Sequence, residues 1–160
     1  MNFTYGKHKE LLIEFVKANV DFILVGGYAI IYYGYVRTTG DMGVWLKSDN
    51  ENKQKVVQAF SAMGANAGDL RELSKIDFNG IVSFHMGAPP ERIDFMTRIT
   101  GVKFDEAFDR RNFLKLKGYD IPVLNLDDLI ANKLLTGRAK DKADVEELKK
   151  IGRIRKKGKD

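Results

Sequence analysis

The chain contains no cysteine and no long hydrophobic run. The absence of cysteine excludes disulfide bonds, thiolate metal ligands and a cysteine nucleophile, and it fits the reducing cytoplasm in which we expect the protein. The longest uncharged apolar run, residues 22–36, contains three glycines and is shorter than the roughly 18 residues that span a bilayer. Residues 1–10 are polar and do not resemble a signal peptide. We therefore expect no membrane contact.

The length and composition predict one globular domain with a substantial core. The chain has 160 residues, of which 44% are hydrophobic and 31% are charged. We assign the domain to residues 1–151 and a flexible basic tail to residues 152–160. Much of the net charge of +5 lies near this end, in KKIGRIRKKGKD. The tail has two interpretations, an RNA contact or a solvated end of the chain.

Periodic patterns predict helix, strand, helix, strand and helix, followed by further strands and then by helices. Ser48 and Glu51 form a capping-box pattern at the start of the third helix. The predicted fold class is α+β, with a small mixed β-sheet backed by helices on one side and C-terminal helices packed against it. The predicted segments include a helix over residues 5–18, a turn or loop over 64–69, a hairpin over 112–123 and a last helix over 141–151.

Gly26 and Gly27 lie between a buried apolar strand, residues 21–25, and a short helical segment. The start of a helix offers unpaired N–H groups to an anion, and glycine allows the backbone to approach a phosphate closely. The spacing matches neither the dinucleotide pattern nor the P-loop. The pair is therefore either a phosphate-binding turn or a plain structural turn.

The next strand begins with a carboxylate. Arg37 precedes it, and its fork of donors matches phosphate oxygens, although a surface cation is the other interpretation. Asp41 starts an otherwise apolar strand, where a carboxylate needs a partner, and a metal ion is one candidate. Alternation along the strand places Asp41 and Gly43 on the same face.

Asp94 lies in a later strand, residues 91–96, on the same face as Arg92. It is the candidate for a further carboxylate that helps to bind metal and activates an attacking hydroxyl. The alternative is an ion pair between Asp94 and Arg92 or Arg98.

Lys133 lies at the edge of the apolar stripe of a later helix, from which its long side chain can extend toward a cleft. One interpretation is a tie between the last two helices, formed by Lys133 or Arg138 with Asp144. The other is that Lys133 or Lys140 reaches a bound nucleotide.

Together these features resemble the nucleotidyltransferase superfamily, in particular its small bacterial and archaeal branch that includes AbiEii-like toxins and minimal nucleotidyltransferases. The similarity covers about residues 20–150, and the segment from Asn132 to Asp144 resembles the C-terminal helices of that branch. The residues that carry it are Gly26, Gly27, Arg37, Thr39, Asp41 and Asp94.

The resemblance implies transfer of a nucleoside monophosphate from an NTP to a hydroxyl acceptor. Gly26 and Gly27, with Arg37 and Thr39, would bind the nucleotide. Asp41 and Asp94 would be both the catalytic and the metal-binding residues, with Mg²⁺ or Mn²⁺ as cofactor. The acceptor is a small molecule, a protein or a tRNA, and a homodimer or an antitoxin partner is compatible with a role in a toxin–antitoxin pair.

The chain departs from the superfamily at Gly43, where the second aspartate of an Asp-x-Asp pair is expected. Glycine removes one negative charge and two ligand oxygens from the metal site. The resemblance therefore leaves three alternatives. The chain is a transferase with reduced, one-metal activity, it is a binding module for nucleotide, RNA or a partner on the same scaffold, or Gly43 is an engineered or accidental change at an aspartate.

Overall fold

The computed structural model describes residues 6–35 and 41–157. Within these ranges the chain forms seven helices and six strands; it begins with helix, strand, helix, strand and helix and ends with two helices, as predicted. The helices are α1 Gly6–Lys17, α2 Gly26–Tyr32, α3 Asn50–Ala62, α4 Ala67–Ser74, α5 Phe104–Asp109, α6 Leu126–Thr136 and α7 Ala139–Lys157. The strands are β1 Phe22–Val25, β2 Met42–Leu46, β3 Ser83–Met86, β4 Ile93–Met96, β5 Asn112–Leu116 and β6 Tyr119–Val123.

The six strands form one mixed sheet in the order β3-β4-β2-β1-β6-β5. Strand β2 is antiparallel to its neighbour β1 and parallel to its other neighbour, β4. Strand β1 also pairs with β6 in parallel, and the two outer pairs, β3–β4 and β5–β6, are antiparallel. The predicted α+β class with a small mixed sheet is confirmed, and β1, β2 and β4 are neighbours at its centre.

Helices cover both faces of this sheet, so the predicted one-sided arrangement is wrong. On one face Phe95 of β4 contacts Phe15 of α1 and Phe60 of α3. On the other face Trp45 of β2 contacts Phe104 of α5 edge to face, with ring centroids 5.1 Å apart. Val44 pairs with Phe95 in the sheet, and successive strand residues point to opposite faces, so Trp45 and Phe95 belong to different layers.

Two helix starts differ from the prediction. The N-cap of α3 is Asp49, whose carboxylate accepts a hydrogen bond from the Asn52 amide at 2.6 Å. Ser48, the predicted cap, donates its hydroxyl hydrogen to the Phe78 carbonyl instead. Helix α4 begins at Ala67, inside the segment predicted as a loop, and its cap is Asn66, which accepts from the Asp69 amide at 2.8 Å.

The C-terminal part contains the predicted hairpin and the predicted last helix. Residues 112–123 form the β5–β6 hairpin, and Asn125 caps α6 by accepting a hydrogen bond from the Asp127 amide. Gly137 ends α6 with a φ of 70°. Helices α6 and α7 pack together, and α7 continues through Lys157, so residues 152–157 of the predicted tail are helical. In the described ranges, no helix combines the length and the apolarity that crossing a bilayer requires.

Candidate active site at the centre of the sheet

One row of residues across three adjacent strands brings the separate sequence motifs together. Val25, the last residue of β1, pairs with Gly43 of β2, and Gly43 pairs with Asp94 of β4. Residues paired in this way have their side chains on the same face of the sheet. The Gly26-Gly27 turn follows Val25 directly, so it begins at the end of the row that contains Asp94.

Asp41 lies immediately before β2, and Arg92 lies immediately before β4. Each is two residues before a member of the row. The Met42 amide donates to the Arg92 carbonyl at 3.0 Å, which continues the parallel pairing to this point. Asp41 is exposed and lies two residues before Gly43, on the face that Gly43 and Asp94 share. The structure therefore places Asp41 and Asp94 on one face of two neighbouring strands.

Asp94 forms an ion pair with Arg92, which is one of the two pairings considered from the sequence. The Arg92 Nε–H group donates to Asp94 Oδ1 at 2.9 Å, and the side chains remain 38% and 35% exposed. Arg98, the other candidate, makes no ion pair with Asp94 in the described part of the chain. The catalytic role of Asp94 stays a prediction.

Gly26 and Gly43 differ in how strictly their positions need glycine. Gly26 has a φ of 70°, a conformation that side chains with a Cβ rarely adopt. The Val25 side chain provides no cap for α2, so no hydrogen bond from it occupies the N–H groups of the first turn. A Cβ at Gly43 would lie 3.2 Å from Val25 Cγ2, so a side chain at this position requires a small movement of Val25.

His85 is a residue of this face that the sequence did not indicate. It pairs with Asp94 from the side opposite Gly43 and is exposed on β3. The imidazole therefore flanks the Asp94 carboxylate at cross-strand distance. The sequence SFHM does not show that β3 pairs with β4, so it does not identify His85 as a neighbour of Asp94.

His8 forms hydrogen bonds with two elements that carry residues of the site. This fully buried residue of α1 lies 2.8 Å from the Tyr28 hydroxyl through Nδ1, and its Nε2 lies 3.1 Å from the Glu91 carbonyl oxygen. A carbonyl only accepts, so Nε2–H is the donor, and in the neutral ring Nδ1 accepts from Tyr28. Tyr28 follows the glycine turn and Glu91 precedes Arg92, so His8 fixes the two elements relative to each other.

We expect His8→Phe to lower the free energy of unfolding by about 1–3 kcal/mol, because it removes one buried and one partly buried hydrogen bond while keeping a ring of similar size. Urea unfolding followed by circular dichroism measures the loss. Tyr28→Phe, which removes one of the two bonds, is the matched comparison and should cost less. A His8→Phe protein as stable as the unmodified chain would contradict this role.

Lys133 lies in a buried ion cluster between α6 and α7. Its Nζ is 3.1 Å from Asp141 Oδ1 and 3.5 Å from Asp144 Oδ2, and the lysine is only 8% exposed. The predicted tie from Lys133 to Asp144 is present, whereas Arg138 pairs with Asp141 rather than with Asp144. A contact between Lys133 and a nucleotide stays a prediction.

Asp141 is the centre of that cluster and is completely buried. Burial alone would raise the pKa of its carboxyl group. Hydrogen bonds from Thr136, Arg138 and Lys133 outweigh that effect, and the pKa falls to about 2. The sequence did not indicate Asp141, because the first turn of α7 reads as a solvated polar segment.

The donor set fits one magnesium ion better than two. In the described ranges no group of three or more His, Asp or Glu side chains is arranged to hold a metal ion. Mg²⁺ is commonly bound by one or two carboxylates together with substrate phosphates and water. Asp41 and Asp94 meet that requirement for one ion, whereas Gly43 supplies no ligand for a second.

Three predicted residues cannot be placed in the site. Arg37 and Thr39 lie outside the described residues. Lys140 lies in α7, and its side chain is likewise outside the described part. Their contacts with a nucleotide stay predictions, as does the contact between RNA and the basic end of α7.

The sheet order and the central row define a nucleotidyltransferase-like domain, and comparison with solved structures agrees. The protein TM1012 from Thermotoga maritima, assigned as a nucleotidyltransferase, matches with a TM-score of 0.54 and 13% identity over 91% of this chain and 94% of that one. The lincosamide antibiotic adenylyltransferase LnuA, solved with lincomycin bound, matches with a TM-score of 0.51 and 17% identity over 94% and 99% of the two chains. At these identities the similarity establishes the fold.

The chain belongs to the family described as nucleotidyltransferase of unknown function (DUF6036), whose profile matches residues 8–156. No curated protein matches the chain. The superfamily predicted from the sequence is therefore confirmed, while the AbiEii-like branch stays a prediction.

Proposed function

We propose that this protein transfers a nucleoside monophosphate from an NTP to the hydroxyl group of an acceptor, with release of pyrophosphate. The observation that supports the proposal best is the row Val25–Gly43–Asp94. It aligns the glycine turn with a carboxylate two strands away and leaves Asp41 on the same face. Phosphoryl transfer depends mainly on such positioning and on neutralisation of charge.

In this proposal the residues in and around the row have distinct roles. The backbone around Gly26 and Gly27 binds phosphate oxygens, and Arg37 and Thr39 add contacts from the following segment. Asp41 and Asp94 hold one Mg²⁺ or Mn²⁺ ion, which when bound neutralises charge on the phosphates.

Asp94 also orients the acceptor and accepts its proton. The acceptor oxygen forms a bond with the α-phosphorus, the bond from that phosphorus to the β-phosphate bridging oxygen breaks, and pyrophosphate leaves with the electron pair. Among the three acceptor classes considered from the sequence, we favour a small molecule. The similarity in fold to an antibiotic adenylyltransferase supports this choice.

The test combines nucleotide binding with transfer. With Mg²⁺ and one of the four NTPs at about 100 times its Kd, binding should stabilise the folded chain by about 2.7 kcal/mol, which raises Tm by several degrees. An α-³²P-labelled NTP should then label a hydroxyl compound from a panel of small molecules, proteins and tRNA. Asp41→Asn and Asp94→Asn should abolish labelling.

Asp120→Asn is the control for that experiment. Asp120 is an exposed carboxylate of the β5–β6 hairpin that pairs with Lys115, away from the central row. Its replacement should leave both the shift in Tm and the labelling unchanged. A chain whose Tm does not respond to any NTP would rule out the proposed function.

A second candidate is a nucleotide-binding protein without transferase activity. Gly43 and the ion pair between Arg92 and Asp94 favour it, because both reduce the number of carboxylate oxygens available to metal. Binding of Mg²⁺ and NTP without labelling of any acceptor, combined with no pyrophosphate release, would support this candidate instead.

A further inference from the structure

Arg92 adds a positive charge beside the two carboxylates of the site, Asp41 and Asp94. Its Nε–H group donates to Asp94 Oδ1 at 2.9 Å, and its backbone carbonyl accepts from Met42 beside Asp41. The three formal charges of Asp41, Asp94 and Arg92 sum to −1. A site with a third carboxylate at position 43 and no arginine would have a charge of −3, which two divalent cations can balance.

The guanidinium is held in place by only one of its nitrogen atoms. Within the described residues, neither terminal nitrogen of Arg92 makes a hydrogen bond, so donors remain for a ligand. A guanidinium presents its N–H groups in a planar fork that matches two oxygens of a phosphate. Because the side chain is fixed by Asp94, less conformational entropy is lost on binding.

Stability does not account for this arrangement. Both side chains are more than one-third exposed, and ion pairs at such positions contribute little to folding. The pair also occupies one oxygen of a carboxylate that lies in the central row of the site. A role in ligand binding explains why a cation lies at this position better than a role in folding.

We propose that Arg92 binds a phosphate oxygen of the nucleotide and takes the place of one of the two cations that a three-carboxylate site would hold. This inference rests on the proposed function, since it assigns a residue to the same nucleotide site. It predicts that the chain binds a polyphosphate group in the absence of divalent metal, which a site of charge −3 would repel.

Isothermal titration with inorganic tripolyphosphate in EDTA tests the proposal, and ATP with and without Mg²⁺ is titrated in parallel. Arg92→Gln should weaken metal-free binding by roughly 10- to 100-fold, as expected for the loss of charged hydrogen bonds. Arg92→Lys should retain part of the affinity, because it keeps the charge and loses the fork. Thermal melting should show that both variants remain folded, with Tm within about 4 °C of the unmodified chain.

Arg98→Gln is the matched control, because Arg98 is an exposed arginine four residues after Asp94 and outside the central row. It should leave the affinity unchanged. Equal tripolyphosphate affinity for the unmodified chain and Arg92→Gln would overturn the inference, as would binding only when Mg²⁺ is present. In both cases ATP binding with Mg²⁺ would leave the proposed function intact, whereas no binding under any condition would overturn both.

Discussion

Gly43→Asp should raise the rate of nucleotide transfer by roughly a hundredfold to a thousandfold at saturating Mg²⁺, since stabilisation of the transition state by 3–4 kcal/mol has this effect on a rate. The new carboxylate would lie opposite Asp94 in the sheet and two residues after Asp41, on the same face. That arrangement supplies the ligand oxygens for a second metal ion. Initial rates of pyrophosphate release at varied Mg²⁺ concentration measure the effect.

The structure permits this substitution at a small steric cost. The Cβ would lie 3.2 Å from Val25 Cγ2 and 3.4 Å from the Val25 carbonyl oxygen, so Val25 must move by a few tenths of an ångström. Gly43→Ala measures that steric cost without a new ligand, and Gly43→Asn reproduces the shape of aspartate without its charge. Both controls should remain as slow as the unmodified chain.

Stability provides a second measurement on the same variant. Two carboxylates opposite each other in adjacent strands repel, so Gly43→Asp should melt at a lower temperature in EDTA and recover when Mg²⁺ is added. An aspartate variant that resembles the asparagine variant in rate and in its response to Mg²⁺ would show that position 43 is not a metal-ligand position in this protein.

The face shared by Asp41 and Gly43 was predictable because strand alternation depends only on local sequence. The turn at Gly26 and Gly27 was predictable for a similar reason, but its role in binding phosphate was not, because a plain structural turn has the same sequence. The parallel pairing of β2 with β4 brings Asp94 to the same face as Asp41 and Gly43. Pairing of distant strands depends on the whole sheet, and the resemblance to a known superfamily supplied that expectation.

The features that the sequence did not indicate all depend on tertiary contacts. His8 lies in the polar segment KHKE, yet α1 buries it against Tyr28 and Glu91. Helix α4 was missed because Gly64 and Gly68 make residues 64–69 resemble a loop. Asp49 rather than Ser48 caps α3, because the serine hydroxyl finds a partner at Phe78, and such a contact is visible only in the folded chain.

Asp141→Asn should lower the free energy of unfolding by about 2–4 kcal/mol, which is near the cost of breaking a buried ion pair. Asp141 accepts hydrogen bonds from Lys133, Thr136 and Arg138, and asparagine keeps its size but loses its charge. Lys133 would then keep only Asp144 as its ionic partner in the described part of the chain. Urea unfolding at pH 7 measures the loss.

The same carboxylate should make stability depend on pH over a defined range. Its pKa is lowered from 3.8 to about 2 in the folded chain, so the native state favours the ionised form. The resulting stabilisation is complete above pH 4 and disappears as the pH falls through 2. Arg138 is 70% exposed and its contribution is screened by solvent, so we expect about 1–2 kcal/mol from ionisation. Asp141→Asn should lose this part of the acid dependence.

Glu147→Gln is the control on the same helix, because Glu147 forms an exposed pair with Lys150 at 3.3 Å. Its effect on the free energy of unfolding should stay within about 0.5 kcal/mol. NTP affinity, measured well below the melting temperature, separates the two interpretations of Lys133. If the cluster only joins α6 to α7, Asp141→Asn will lose stability and keep its affinity for NTP. A loss of affinity without a loss of stability would instead place Lys133 in the nucleotide site.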